Sequence, residues 1–147
     1  MNARERFEAT RKAIPRLHDV QLAIMYECDD WKPPAVKAHT QTADPTASRA
    51  IYRVDELSEK LDALRAEERE LEQLIGETLA IIAAVRDGFG EIYANLLEWR
   101  YVDRTTWTVI HDDHDIKRDR GRYLLDVAFD WIDSVGVSRL LRGQTEL

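Results

Sequence analysis

The sequence predicts an all-α protein in which a long, heptad-patterned, coiled-coil-like helix is followed by a C-terminal helix-turn-helix. Only six Gly and four Pro occur in 147 residues, and three of the Pro fall between residues 33 and 45. Long stretches therefore contain no helix breaker. Apolar residues recur at steps of three and four through much of the chain, which is the period of a helix with one buried face.

The composition bounds the kind of protein. Lys and Arg number 21 against 28 Asp and Glu, giving a formal charge of −7, which argues against indiscriminate binding to nucleic acid. The longest purely apolar run, residues 79–85, is far shorter than the roughly 20 residues that span a bilayer. A single Cys forms no intramolecular disulfide, and the charged first residues lack the apolar core of a secretory signal. We expect a cytoplasmic protein with no membrane partner.

Three consecutive segments are predicted: residues 1–50 as an N-terminal helix and a Pro-containing linker, 51–88 as the long heptad helix, and 89–147 as a helix-turn-helix-like domain. Because Pro breaks a helix interior, the first helix is expected to run from about Pro15 to Trp31. Cys28 lies on its apolar stripe and is expected to be buried. Residues 32–49 have no apolar period and are typical of a linker.

The heptad helix predicts an oligomer. From Val54 to Trp99, apolar residues follow alternating steps of three and four, broken only by Glu68 and Thr78. Such a seam needs a facing surface, and polar residues within it select register. We therefore expect a homodimer or higher oligomer held by Leu57, Leu61, Leu64, Leu71, Ile75, Ile82 and Val85. In the alternative, residues 15–31 fold back antiparallel and cover part of the seam within one chain.

The C-terminal segment predicts several short elements. Gly88 and Gly90 end or kink the long helix, and a helix from Glu91 to Tyr101 follows. Thr105 or Thr106 is a suitable N-cap for a helix over residues 107–113. Residues 114–116 form a turn, and a longer helix covers residues 117–132, with a last turn within 135–141. Short helix, turn and longer helix are the layout of a helix-turn-helix.

A resemblance to a known family rests on this region. Arg100-Tyr101-Val102-Asp103, Thr106-Trp107, Ile110, Arg118 and Ala128-Phe129 resemble phage and prophage late-transcription activators of the ArpU/RinA type. Their C-terminal part is similar to region 4 of sigma-70 factors, which binds the promoter −35 element. The resemblance covers about residues 93–132. It implies a non-enzymatic, sequence-specific, DNA-binding transcriptional regulator, with double-stranded DNA and RNA polymerase as partners. Lys117 and Gly121 depart from the family pattern, which has a small capping residue and a β-branched core residue there.

Candidate DNA contacts follow from the helix-turn-helix layout. Gly121, Leu125, Ala128 and Ile132 share one face of the last long helix and are expected in the core. The other side carries basic residues in the half of the helix that enters a major groove, where Arg pairs with guanine. Residues around the start of the preceding helix are placed to hold phosphate. The candidates are Arg100, Arg104, Thr105, Thr106, Lys117, Arg118, Arg120, Arg122 and Tyr123. The alternatives are an ordinary solvated face and, for the two Thr, helix capping alone.

Other chemistry has little support in the sequence. His111 and His114 with the neighbouring Asp residues could hold a metal ion, but a solvated acidic helix end is the expectation, so no metal and no cofactor are predicted. Neither a nucleophile motif nor a phosphate loop occurs, and we expect no enzymatic activity. The competing class is a helical phage assembly or packaging protein, similar to a small terminase, or a coiled-coil interaction protein with a structural helix-turn-helix.

Overall fold

Helices form every element of the computed structural model, which describes residues 1–30 and 45–146. The predicted all-α class is confirmed, and Trp31 and most of the predicted linker lie outside the described residues. Within the described part, none of the helices has the length and apolar character needed to cross a bilayer. The elements are α1 (Ala3–Asp30), α2 (Pro45–Gly88), α3 (Glu91–Leu97), a π-helical turn (Glu98–Val102), α4 (Trp107–His114), α5 (Arg118–Val135) and α6 (Val137–Leu141).

The first helix is longer than predicted. It begins at Ala3 and passes through Pro15, so the predicted start at Pro15 is wrong. Proline inside a helix costs about 3 kcal/mol, yet apolar side chains are buried on both sides of it, Phe7 before and Val20 after. Burial of this stripe offsets the lost backbone hydrogen bond. Cys28, expected to be buried, is exposed.

The chain forms two compact units, residues 1–15 with 71–147 and residues 16–70. This division differs from the three consecutive segments predicted from sequence. Residues 1–15 belong with the C-terminal helices, the first of which begins at Glu91, 76 positions after residue 15. Local patterns of hydrophobicity carry no information on so distant a pairing, and this is why the segment boundaries differ.

Three aromatic rings form the centre of the first unit. Phe7 of α1, Tyr101 of the π-helical turn and Phe129 of α5 meet edge to face, with ring centroids 5.5, 5.5 and 5.6 Å apart. Each such pair adds about 0.5–1.5 kcal/mol beyond the burial of its surface. Around them lie aliphatic side chains that are at most 4% exposed: Ile81, Ile82, Val85, Leu96, Leu97, Ile110 and Ile132.

The start of α1 is fastened along α5. The backbone N–H of Ala3 donates to Oδ1 of Asp133 at 2.8 Å. Arg4 pairs with Asp126, and its guanidinium carbon lies 4.9 Å from the ring centroid of Phe129. Because Ala3 meets Asp133 while Phe7 meets Phe129, the two helices run antiparallel here.

Part of the apolar seam that predicts an oligomer is buried within the single chain. Ile82 and Val85 are 4% and 0% exposed within the single chain, so their assignment to a dimer interface is wrong. They pack in the core with α1 and α5, which supply the facing surface that the heptad pattern required. The remaining seam residues are half-buried in the single chain and stay a prediction: Leu57, Leu61, Leu64, Leu71 and Ile75.

In the second unit, α1 folds back on α2. Arg16 pairs with Glu67 through an Nε–Oε1 contact of 2.6 Å, and Nζ of Lys60 lies 2.6 Å from Oε1 of Glu27. Residues later in α1 therefore pair with residues earlier in α2, so the two helices run antiparallel. This confirms the antiparallel alternative for this unit. The Arg16 hydrogen bond lowers the pKa of Glu67. A cavity of about 310 Å³ lies beside Cys28 and is lined in part by Leu57 and Leu61.

A buried pair of hydroxyls joins α1 to α2 in the first unit. Oγ1 of Thr10 lies 2.6 Å from Oγ1 of Thr78, and both residues are fully buried. Each hydroxyl is also 3.0 Å from a carbonyl oxygen one turn earlier, that of Arg6 or Leu74. One hydroxyl donates to the other, which in turn donates to the carbonyl oxygen one turn earlier in its own helix. The polar residue at position 78 therefore has its partner within the chain, and its assignment to register selection between chains is wrong.

We expect the two Thr hydroxyls to be energetically coupled. Thr10→Val or Thr78→Val alone should lower the free energy of unfolding by about 1 kcal/mol, since one buried hydroxyl loses a partner. The double variant should cost less than the sum of the two, because no unpaired hydroxyl remains. A double-mutant cycle measured by urea unfolding checks this. Strictly additive effects would contradict the pairing.

Candidate nucleic-acid interface

Helices α4 and α5 and the tight turn between them form the candidate interface. Asp115 ends α4 in the left-handed conformation, with φ 55° and ψ 40°, and its N–H donates to the carbonyl of His111 at 2.9 Å. Asp is one of the residues that tolerates this conformation. Ile116 follows and is only 8% exposed, so it anchors the turn in the core. Helix α5 then begins at Arg118. The predicted helix, turn and helix are confirmed.

Gly121 sets the approach of α4 to α5. An added Cβ at this position would lie 2.2 Å from Cζ3 and 2.7 Å from Cη2 of Trp107. No real side chain fits there, so the indole of Trp107 occupies the space that a residue at 121 would otherwise fill. The glycine at position 121 therefore has a local cause, the size of the aromatic side chain opposite.

Arg100 is held between the π-helical turn and α4. Its Nη1 donates to the carbonyl of Thr105 at 2.7 Å, and its guanidinium carbon lies 4.7 Å from the ring centroid of Trp107. Burial lowers the pKa of Arg100, and the positive charges of Arg11 and Arg122 lower it further. Arg100 thus has a structural task, which is to clamp the loop before α4, and it also stands close to two other cations.

The loop before α4 is fixed by backbone hydrogen bonds. The N–H of Asp103 donates to the carbonyl of Glu98 at 2.9 Å, and that of Thr105 donates to the carbonyl of Trp99 at 2.7 Å. Between them, Arg104 takes a left-handed conformation with φ 57°, which costs a residue other than Gly roughly 1–2 kcal/mol. The loop therefore presents the exposed Arg104 side chain on a rigid and strained backbone.

Of the two neighbouring threonines, Thr106 is the N-cap of α4. Its hydroxyl accepts from the N–H of Val109 at 3.4 Å, and its backbone is extended, as a cap requires. Thr105 is half-buried and contributes its backbone groups to the loop. The capping interpretation is confirmed for Thr106, whose side chain remains exposed.

The buried side of α5 is the expected core stripe, which is confirmed, since Leu125 is 5% exposed and Ala128 and Ile132 are fully buried.

The exposed side chains on the first two turns of α5 form a cationic face. Among the described residues, no ion pair is formed by any cation of this face. The exposed side chains of the face are Lys117, Arg118, Arg120, Arg122 and Tyr123.

Helix α1 contributes a residue to this surface that is not among the candidate DNA contacts predicted from sequence. Arg11 lies one helical turn beyond Phe7, on the side of α1 that faces α5, and its charge acts on Arg100. Its position depends on the pairing of residues 1–15 with the C-terminal helices. In the sequence, residues 1–16 carry five basic and two acidic side chains, a pattern that indicates either a basic arm with phosphate contacts or a solvated helix face, and it does not single out Arg11.

The acidic end of α4 is used in packing. The imidazole of His114 stacks on Trp99 with centroids 3.8 Å apart and planes 8° from parallel. His111 lies 3.5 Å from the carboxylate of Asp112, its neighbour in sequence. Within residues 1–30 and 45–146, no three His, Cys, Asp or Glu side chains are grouped so that they could hold a metal ion.

Comparisons with protein-family models, with curated protein sequences and with solved structures found no match to this chain.

We expect opposite effects from Ala at two helical glycines. Gly121→Ala should lower the free energy of unfolding by about 1–3 kcal/mol, as overpacking does, because the added methyl meets the rigid indole of Trp107. Gly76 of α2 has no atom within 4 Å of such a methyl, so Gly76→Ala should raise it by about 0.5–1 kcal/mol. Thermal unfolding of both variants checks this. If both substitutions raised the free energy of unfolding, α4 and α5 would have to move apart around the added methyl at position 121 without a loss of stability, which would contradict this expectation.

Thr106 allows capping to be separated from phosphate binding. Thr106→Ala should cost about 0.5–2 kcal/mol of stability, because the cap is lost. Thr106→Asp should keep the stability, because Asp is also a good cap, while its charge repels a phosphate. Thermal unfolding together with a duplex-binding titration checks both expectations. Unchanged duplex binding by Thr106→Asp would exclude a phosphate near this cap.

Proposed function

We propose that this protein is a sequence-specific DNA-binding transcriptional regulator, non-enzymatic, that uses α5 as its recognition helix. The observation that carries the proposal is the exposed cationic face on the first two turns of α5, at the end of a rigid helix-turn-helix. In helix-turn-helix proteins, this half of the second helix contacts base edges in the major groove.

The local charge supports the proposal. Residues 117–123 contain four basic side chains and one acidic one, a net charge of +3 in a chain of −7. A cation at the protein surface is drawn to the dense negative charge of a duplex, while the acidic remainder opposes binding elsewhere. Such a distribution favours one defined DNA-facing surface over diffuse attraction.

The roles of the residues follow from their positions on α5. Arg122 shares a stripe with Asp126 and Phe129, which contact α1, so it lies at the flank of the helix. Arg120 and Tyr123 are exposed away from that stripe. We assign Arg120 to a guanine edge and Tyr123 to base or phosphate contact. We assign Lys117, Arg118, Arg104 and Arg122 to phosphates.

Rigidity supports sequence reading as well. Trp107 and Gly121 hold α4 against α5, and Arg100 clamps the loop that precedes α4. A recognition helix can discriminate between bases only if its position is fixed to a fraction of the distance between them. The hydrogen bonds of the loop and the contact at Gly121 provide that constraint.

Partners follow from this function. Double-stranded DNA is the principal one, and RNA polymerase is a second if the chain acts as the resembling late-transcription activators do. A homodimer would place two recognition helices on two half-sites about 34 Å apart along a duplex. The half-buried Leu57, Leu61 and Leu64 are the side chains we propose for its contact. Sedimentation as a monomer at tens of micromolar would exclude the dimer.

We expect Arg120→Ala to weaken binding to the preferred site by roughly 1–3 kcal/mol and to relax the preference at one base pair. Arg104→Ala should weaken all sequences about equally, because a phosphate contact carries no base information. Arg69→Ala removes the same charge from an exposed position in the other unit and serves as the control. Gel-shift titrations on the DNA upstream of the gene and on an unrelated duplex provide the measurement.

The absence of any duplex binding by the unaltered protein in low salt would exclude the proposal. The competing class, a helical assembly or packaging protein with a structural helix-turn-helix, would then take its place. Equal loss for Arg120→Ala and Arg69→Ala would instead show attraction to DNA without sequence reading.

A further inference from the structure

The antiparallel packing of α1 on α5 brings two arginines of distant sequence together. Phe7 contacts Phe129, and Ala3 contacts Asp133, so each step of four residues along α1 matches a step of four back along α5. Arg11 is four residues beyond Phe7. Arg122 is four residues before Asp126, on the stripe of α5 that faces α1. Continued by one step, this register places Arg11 opposite Leu125, and Arg122 lies one helical turn before Leu125 on α5, so Arg11 and Arg122 lie within about one turn of each other.

Arg100 lies at the same place. It immediately precedes Tyr101, and the Tyr101 ring contacts Phe7. The guanidinium of Arg100 stacks on Trp107, and Trp107 lies against Gly121, the residue next to Arg122. The charges of both Arg11 and Arg122 lower the pKa of Arg100, after the larger effect of its burial. Three arginines from α1, the π-helical turn and α5 thus converge.

The cluster is not neutralised within the part of the chain that the structure describes. Arg11, Arg100 and Arg122 take part in none of its ion pairs, whereas the nearby Arg4 pairs with Asp126. Glu8 is the acidic residue whose charge acts on Arg100. Three positive charges against one negative leave a net charge of +2. Holding like charges close together is unfavourable unless an anion binds among them.

We propose that Arg11, Arg100 and Arg122 form a binding site for a phosphate group of a DNA backbone, which extends the interface from the helix-turn-helix onto α1. The guanidinium fork matches the oxygen atoms of phosphate, and Arg100 is held in place by its bond to Thr105. The inference rests on the proposed function and deepens it, because it makes residues 1–15 part of the DNA-binding surface.

The test is a salt titration of the full chain with a 20-base-pair duplex of unrelated sequence. Arg11→Ala should reduce the slope of log K against log salt by about 0.9, the value for one phosphate. When the salt concentration rises fourfold, the fold-loss of affinity of Arg11→Ala should then be about 3.5 times smaller than the fold-loss of the unaltered protein. Lys12→Ala removes the same charge from the exposed neighbouring position, about 100° around the helix, and should leave the slope unchanged.

Two further variants separate phosphate binding from loss of fold. Arg11→Lys keeps the charge and should retain the slope. Glu8→Gln removes the acidic residue of the cluster and should raise the affinity several-fold, a gain that unfolding does not produce. Thermal unfolding of each variant shows whether the packing of α1 persists.

The outcomes distinguish this inference from the function on which it rests. If the unaltered protein binds the duplex and Arg11→Ala keeps its slope, the arginine cluster is not a phosphate site, while the recognition function of α5 stands. Equal changes of the salt slope in Arg11→Ala and Lys12→Ala would also contradict the proposed phosphate site, since they would show only a general attraction between the positive charge of the protein and the DNA. If no duplex binds the unaltered protein in low salt, both proposals fail.

Discussion

The contact of Phe7 with Tyr101 and Phe129 is the constraint on which the first unit depends. It joins three elements that are far apart in sequence, and the surrounding contacts follow from it. The bond from Ala3 to Asp133, the pair of Arg4 with Asp126 and the buried Thr hydroxyls all require α1 to be docked where Phe7 holds it. Removing this ring would therefore cost more than the burial of one side chain.

The same contact shapes the candidate interface. Helix α5 is supported on one flank by α4, through Trp107 and Gly121, and on another by the start of α1. The side of α5 away from these supports is exposed, and it carries Arg120 and Tyr123. The helix that we propose to read DNA is thus braced by the segment most distant from it in sequence. On this proposal, binding and folding depend on one set of contacts.

Much of this could be predicted from sequence, and the failures have physical causes. Local signals were sufficient for α4, the turn and α5, because capping at Thr106 and the apolar stripe of α5 act within a few residues. The interruption expected at Pro15 is absent because tertiary burial on both sides offsets it. Ile82 and Val85 do form an apolar seam, but a heptad pattern does not say whether another chain or the same chain covers it. Arg11 joins the candidate site through the fold, and the basic character of residues 1–16 does not distinguish it from its basic neighbours.

The pairing of residues 1–15 with residues 71–147 also affects how the chain reaches its native state. During synthesis, Phe7 leaves the ribosome well before its partners, because Tyr101 follows 94 residues later and Phe129 follows 122 residues later. Until Phe129 is made, the contact of the three rings is incomplete. Contacts between residues so distant in sequence also require the closure of a large loop, which slows folding. The contacts of Phe7 with Tyr101 and Phe129 are therefore complete only after residue 129 has been made, although the partners of α1 on α2, such as Thr78, are made earlier.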